Sequence, residues 1–238
     1  MFWKKIFTRG KSAMTESERL SLSDRAEAAR LDGRLSEARA LQLRILEEVR
    51  DSLGEEHPAT LMAMNNLAAT LFVLKEYDGA QEYQEKVLKV HNATLGTGDL
   101  ATLQAMKNLA ATYWAKEKYT NARELEERAL EGYIRALGER HPLTLTAMTN
   151  LAATYWSQGR HDRALELEVK ALDVQEGLLG REHSNTTVMA WNLRTTLLET
   201  GELSAAQAIL EKYLKWLLGA DPNRLSGDQR TIREYLRQ

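Results

Sequence analysis

The sequence predicts an all-α solenoid of about five antiparallel helix pairs with a C-terminal capping helix, and three observations carry that prediction. The heptapeptide NLAATYW at Asn108–Trp114 returns unchanged at Asn150–Trp156 and as NLAATLF at Asn66–Phe72, each copy 42 residues from the next. Only three prolines, Pro58, Pro142 and Pro222, interrupt a chain rich in Ala, Leu, Glu, Lys and Arg, so helix is favoured nearly throughout. A small residue, Ala38, Ala80, Ala122, Ala164 and Ala206, also recurs at one point of every second helix, as close packing of two helix axes requires.

Two residues before each of these alanines stand Ser36, Asp78, Thr120, Asp162 and Ser204, all good N-cap types, which predicts that each second helix begins there. Eight residues after them come Leu46, Leu88, Leu130, Leu172 and Leu214, beside Ile45, Val87, Ala129 and Ala171, which supply the apolar stripe. Leu53-Gly54, Leu95-Gly96, Leu137-Gly138 and Leu179-Gly180 then close the first four units, the glycine read as a left-handed C-terminal stop.

First helices open at His57-Pro58, Asp99-Leu100, His141-Pro142 and His183-Ser184. Histidines on successive layers, about 10 Å apart, are too far apart to share one ion, and the aspartate in the same column points to capping. Inside these helices Leu67, Leu109, Leu151 and Leu193 recur with Leu71, Tyr113, Tyr155 and Leu197 four residues on, a stripe expected to face the second helix. In the first unit Asp24 and Arg25 replace the Asn66 and Leu67 columns, giving a polar N-terminal cap. After Leu218 the period ends, and Ser226 caps a final helix from Gly227 to about Arg237.

The predicted organisation is therefore a basic and aromatic tail over 1–14, an array over 15–218 and a capping helix within 219–238. The array divides into units of about 15–54, 55–96, 97–138, 139–180 and 181–218. In the tail Phe2, Trp3, Ile6 and Phe7 alternate with Lys4, Lys5, Arg9 and Lys11, and no acidic residue precedes Glu16. That pattern suits either an anchor at an anionic membrane surface or partner, contacted through Phe2, Trp3, Lys4, Lys5 and Phe7, or a terminus folded back on the first helix.

Several function classes are disfavoured. The absence of cysteine removes disulfides, thiolate metal sites and a cysteine nucleophile. With 28% charged residues and a net charge of -2, and with Lys and Arg matched by Asp and Glu in nearly every unit, there is no basic stripe for nucleic acid. No apolar run reaches the roughly 18 to 20 residues of a membrane span, and no phosphate loop, HExxH or G-x-S-x-G occurs. Charged runs such as Glu124 to Arg128 read as solvated faces with i, i+4 pairs. The chain is expected to be a non-enzymatic binding protein without metal or cofactor, cytoplasmic or peripheral to a membrane. A self-assembling spacer is a further alternative.

These columns resemble the tetratricopeptide repeat family in the 42-residue form of kinesin light chains and of many bacterial repeat proteins, from about Glu16 to Leu218, which also suggests a bacterial source. Met106, Leu109, Ala110 and Tyr113 on the first helix, and Ala122, Ala129 and Leu137-Gly138 after it, carry the match. The resemblance implies a right-handed superhelix with a concave groove of first helices that accepts a peptide or protein segment. It places that groove at Asn66, Asn108, Asn150 and Asn192, at Asn65, Lys107, Thr149 and Trp191, and at Phe72, Trp114, Trp156 and Leu198. A carboxamide donates and accepts, so an asparagine row can grip peptide backbone whatever its sequence; its alternative use is bonding between neighbouring units. Trp114 and Trp156 directly follow Tyr113 and Tyr155, about 100° away around the helix, which turns them toward the groove. Lys107 and Asn150 alone match the positions that clamp chaperone tails, with Ala111, Val188 and Asn192 departing from them, which disfavours such a clamp.

Overall fold

The computed structural model describes residues 15–237; the proposed contact residues Phe2, Trp3, Lys4, Lys5 and Phe7 lie outside them. Helices α1 (Glu16–Leu31), α2 (Leu35–Leu53), α3 (Pro58–Val73), α4 (Tyr77–Thr94) and α5 (Leu100–Ala115) are followed by α6 (Tyr119–Leu137), α7 (Pro142–Ser157), α8 (His161–Leu179) and α9 (Ser184–Glu199). The last second helix is interrupted: α10 (Leu203–Ile209) continues through a π turn, Leu210–Leu214, into a 3-10 turn, Lys215–Leu218. A short 3-10 turn, Pro222–Arg224, precedes α11 (Gly227–Tyr235). The described residues are thus all-α, with no strand among them.

Two compact units divide the chain. The described part of the first runs to Gly96 and takes in Ala111–Lys116; the second comprises Thr97–Ala110 and the residues from Glu117 onward. In the first, α2 packs on α1 and α3, and α4 on α3. In the second, α7 packs on α6 and α8, α9 on α8 and α10, and α11 on α9. The alanine column is shut off from solvent in both, with Ala38, Ala80, Ala122 and Ala164 at 0% exposure and Ala206 at 1%. The predicted leucines of the second helices and Leu67, Leu109, Leu151 and Leu193 of the first are buried as well.

The tyrosines of the first helices behave otherwise than expected. Tyr113 donates its hydroxyl to Glu85 of α4 at 2.8 Å, and Tyr155 donates to Glu127 of α6 at 2.7 Å, so each reaches the second helix of the preceding pair. Burial, with the Glu85 carboxylate adding to it, pushes the Tyr113 phenol up to about 12. The stripe therefore joins successive pairs as well as the two helices of one pair.

First helices start as predicted. His57, His141 and His183 are N-caps whose Nδ1 accepts from the backbone N–H two residues on, at 3.1, 3.1 and 3.2 Å, and Asp99 does the same with Oδ1 at 2.8 Å. Second helices do not start at Ser36, Asp78, Thr120, Asp162 and Ser204. They begin one residue earlier, after Arg34, Glu76, Lys118, Arg160 and Glu202, none of which caps through its side chain. The chain reverses instead through backbone geometry, with a positive φ at Gly33, Lys75, Glu117, Gly159 and Gly201. In four of these turns the next N–H then bonds back to the first helix: Arg34 to the Ala29 carbonyl, Glu76 to Leu71, Arg160 to Tyr155 and Glu202 to Leu197, at 2.8–2.9 Å. This Schellman-type closure satisfies end carbonyls without any capping side chain.

The glycines after the second helices also depart from the expected left-handed stop. Gly54, Gly138 and Gly180 combine φ of 82–93° with ψ of 166–167°, a region essentially closed to residues with a Cβ. Their carbonyls are used at the next helix start, since Thr60 donates to the Gly54 oxygen at 2.7 Å and Thr144 to the Gly138 oxygen at 2.8 Å.

At the C-terminal end the π turn coincides with the burial of two consecutive residues, Tyr213 and Leu214, together with Leu217. Tyr213 donates to Glu176 of α8 at 2.6 Å, Lys212 donates to the same oxygen at 2.9 Å and Arg181 to the other at 3.3 Å. Tyr213 and Lys212 hold the Glu176 carboxyl down at about 2. Helix α11 opens with a capping box at Ser226 and Gln229. The Gln229 amide donates to the Glu182 carbonyl and to Thr187 Oγ1 at 2.9 and 3.2 Å, and Ile232 is buried, so the final helix covers α9 as the sequence predicts.

Two backbone substitutions separate these turn types. Lys75→Gly, which relieves a left-handed residue, is expected to stabilise by about 0.5–1 kcal/mol in chemical denaturation. Gly138→Ala is expected to destabilise by about 2 kcal/mol, although a Cβ there meets no atom within 4 Å, because the cost is conformational.

Candidate functional site

The 42-residue columns recur on the first helices of each unit. In the first, α3 carries Asn66 exposed and Asn65 half-buried. Phe72 at the end of α3 is half-buried, its ring 5.5 Å from Tyr77 at the start of α4. Trp114 is 43% exposed, a large fraction for an indole.

In the second unit Asn108 and Asn150 are half-buried and Asn192 is exposed. Lys107 is half-buried and its ammonium has no ion pair among the described residues. The Thr149 hydroxyl is engaged by its own helix, donating to the Thr146 carbonyl at 2.9 Å. Trp156 packs against His161 with ring centres 4.1 Å apart. Trp191 lies beside Tyr235 of α11 at 5.9 Å and under the Arg194 guanidinium at 5.5 Å. Phe72 and Trp156 therefore wedge the turn into the second helix, and Trp191 is partly covered by the final helix.

The asparagines differ among themselves. Asn108 Oδ1 accepts from Gln104 on its own helix at 2.7 Å. The carboxamides of Asn66, Asn150 and Asn192 have no side-chain partner among the described residues, so the bonding between neighbouring units that such a row could supply is not made by these three. A carboxamide left this way offers one donor group and one acceptor to whatever lies against the helix.

A second polar column, missed in the sequence, runs through the interior. Gln42, Gln84, Glu126 and Glu168 occupy one position of successive second helices, the first three nearly shut off from solvent. Thr196 donates to Glu168 at 3.3 Å. One oxygen each of Glu126 and Glu168 is buried without a partner. Burial pushes the Glu126 carboxyl up to about 7, the Thr154 hydroxyl pulling the other way, and Glu168 moves in the same direction for the same reason. The 42-residue spacing was the signal that could have revealed this column, but Gln and Glu within helices rich in both did not stand out.

Comparison with known proteins places these features in context. A tetratricopeptide repeat family model matches residues 18–72, 62–135 and 114–176. Among solved structures the chain is similar to a kinesin light chain protein of Podosopora anserina with nearly identical TPR-like repeats, at 24% identity over 94% of this chain and 100% of that one, TM-score 0.76. It is similar to BtubC from P. vanneervenii, at 21% identity over 89% and 85% of the two chains, TM-score 0.73. Apo RapI follows at 14% identity over 92% and 81%, TM-score 0.71. At these identities the likeness shows the fold. No curated protein matches the chain.

The buried carboxyl yields a pH prediction. Because the native state holds the Glu126 proton more tightly than the unfolded chain, its contribution to stability is full below the unfolded value of 4.5 and is lost as pH rises through about 7. Glu126→Gln should therefore stabilise by about 3 kcal/mol at pH 8 and by almost nothing at pH 4, as read from denaturant midpoints at the two pH values.

Proposed function

Since the chain belongs to the tetratricopeptide repeat family, we propose that it is a non-enzymatic interaction module that binds a peptide or protein segment along the outward row of its first helices. The observation that carries this reading is the set of unpartnered carboxamides at Asn66, Asn150 and Asn192, repeated at the 42-residue period. Repeated carboxamides suit a repeating ligand, and the peptide backbone is the repeating polar unit that presents both donors and acceptors. Lys107 adds an unpaired cation in the second unit, and the exposed indole of Trp114 adds an apolar contact in the first. The half-buried Phe72, Trp156 and Trp191 contribute ring edges rather than whole faces.

The alternative of a membrane-associated scaffold depends on Phe2, Trp3, Lys4, Lys5 and Phe7, outside the described residues. Among the described residues no helix is long and apolar enough to cross a membrane.

The test is selection of ligands from a peptide library by the wild-type chain, followed by titration against the Asn66→Ala, Asn150→Ala, Asn192→Ala triple variant and, separately, Lys107→Ala. The triple variant is expected to bind about tenfold or more weakly, with unchanged helical circular dichroism. Equal binding by wild type and triple variant would remove the asparagine row as the site. A ligand sensitive to Lys107→Ala should carry an acidic residue and should weaken with added salt.

A further inference from the structure

The first unit holds a feature that the outward row does not explain. A cavity of about 440 Å³ opens among α1, α2 and α3, with Ile45 and Val49 on one side and Leu20 and Met62 beside its mouth. Leu20 and Met62 occupy the same column of α1 and α3 and are 60% and 63% exposed, unusually high for such residues. The volume lies within the roughly 300–1,000 Å³ of small-molecule sites, and a largely apolar lining with few placed polar groups is what such sites have.

Its polar lining is Arg19, Ser23, Glu27, Gln42, His57 and Asn66, in which donors outnumber the one carboxylate. Arg19 lines the cavity and forms no ion pair among the described residues. The carboxylate in the lining, Glu27, is engaged in two bonds by Arg30 of its own helix at 2.6 and 2.8 Å, so its charge is already matched. His57 accepts at Nδ1 from the Ala59 N–H, which leaves its Nε2 as a donor. Gln42, 6% exposed, lines the same cavity, and its side-chain oxygen is buried without a partner. The NH₂ end of the same amide is not shut off in this way and is the end that can donate.

We propose that this cavity is a binding site for a small aliphatic monocarboxylate, whose chain lies on Ile45, Val49, Leu20 and Met62 and whose carboxylate meets Arg19. The donor set selects an anion, and one guanidinium without an ion pair among the described residues selects one with a single acidic group. Asn66 of the asparagine row also lines the cavity, so the two sites share that residue, while Arg19 and Leu20 stand outside the row and separate failure of one from failure of the other. Charge also separates this ligand from the chain's own N-terminal residues, since Lys4, Lys5, Arg9 and Lys11 would bring cations to Arg19.

The experiment titrates the full chain by calorimetry with decanoate below its micelle-forming concentration, beside decanol and decyltrimethylammonium. Decanoate is expected to bind with one site per chain and more tightly than either control. Arg19→Gln should weaken decanoate about tenfold and leave decanol unchanged. Leu20→Glu with Met62→Glu, both at exposed positions and so compatible with the fold, should abolish decanoate binding while circular dichroism is unchanged. Saturation absent at millimolar decanoate, or equal affinity for wild type and Arg19→Gln, would overturn the proposal. Preference for decyltrimethylammonium would do so too, and would assign the cavity to a basic apolar segment such as the chain's own Phe2 to Phe7.

Discussion

Each second helix carries, at one point of the 42-residue period, an alanine that faces its neighbours and not solvent. Ala38, Ala80, Ala122, Ala164 and Ala206 are shut off from solvent almost completely, and a larger side chain at any of them would part the two axes it sits between. Close approach at that point fixes the rotation of the second helix about its own axis. Once that rotation is fixed, the leucine eight residues on must point inward and the Gln42, Gln84, Glu126, Glu168 column must be interior too. The burial of these polar residues follows from where the alanine puts the helix, with no separate requirement for a polar core.

That dependence explains which parts of the fold could be read from the sequence. A column of small or apolar residues states its own environment, so the alanines, the leucines and the helix-opening His and Asp were legible at once. Backbone torsion is another matter. Gly54 and Gly33 look alike in the sequence, yet one has φ 93° with ψ 166° and the other is a left-handed turn residue whose place is taken by Lys75 and Glu117 in other units. Ser36 and its counterparts have capping chemistry but sit one residue inside the helix, because the preceding backbone turn had already satisfied the end carbonyls. Periodicity also names what recurs without saying which neighbour it meets, and so Tyr113 and Tyr155 were assigned to their own pair although they bond to the pair before.

The same limit applies to the candidate site. Asn66, Asn150 and Asn192 could be placed on an outward row from spacing, but whether a carboxamide is already occupied depends on what stands four residues away. Gln104 occupies Asn108, whereas Met62, Thr146 and Val188 in that column leave the other three unoccupied. For the aromatics the deciding neighbour lies five residues on, where Tyr77 meets Phe72 and His161 meets Trp156. Trp191 is decided by Tyr235, 44 positions away, which no local pattern could have shown.

The interior column also gives the two units different electrostatic characters on one architecture. In the first unit the position is Gln42 and Gln84, neutral at any pH, so burial costs only what unmade hydrogen bonds cost. In the second it is Glu126 and Glu168, and there burial acts on the charged form, which is why both carboxyls are raised. Thr196 opposes the shift at Glu168 but does not cancel it, since a single hydroxyl replaces only part of the hydration a carboxylate gives up, and the Thr154 hydroxyl near Glu126 makes no hydrogen bond of good geometry. At this one position the two units therefore differ in having a titratable group, and the difference follows from one amide-to-carboxyl change repeated at a fixed place in the period.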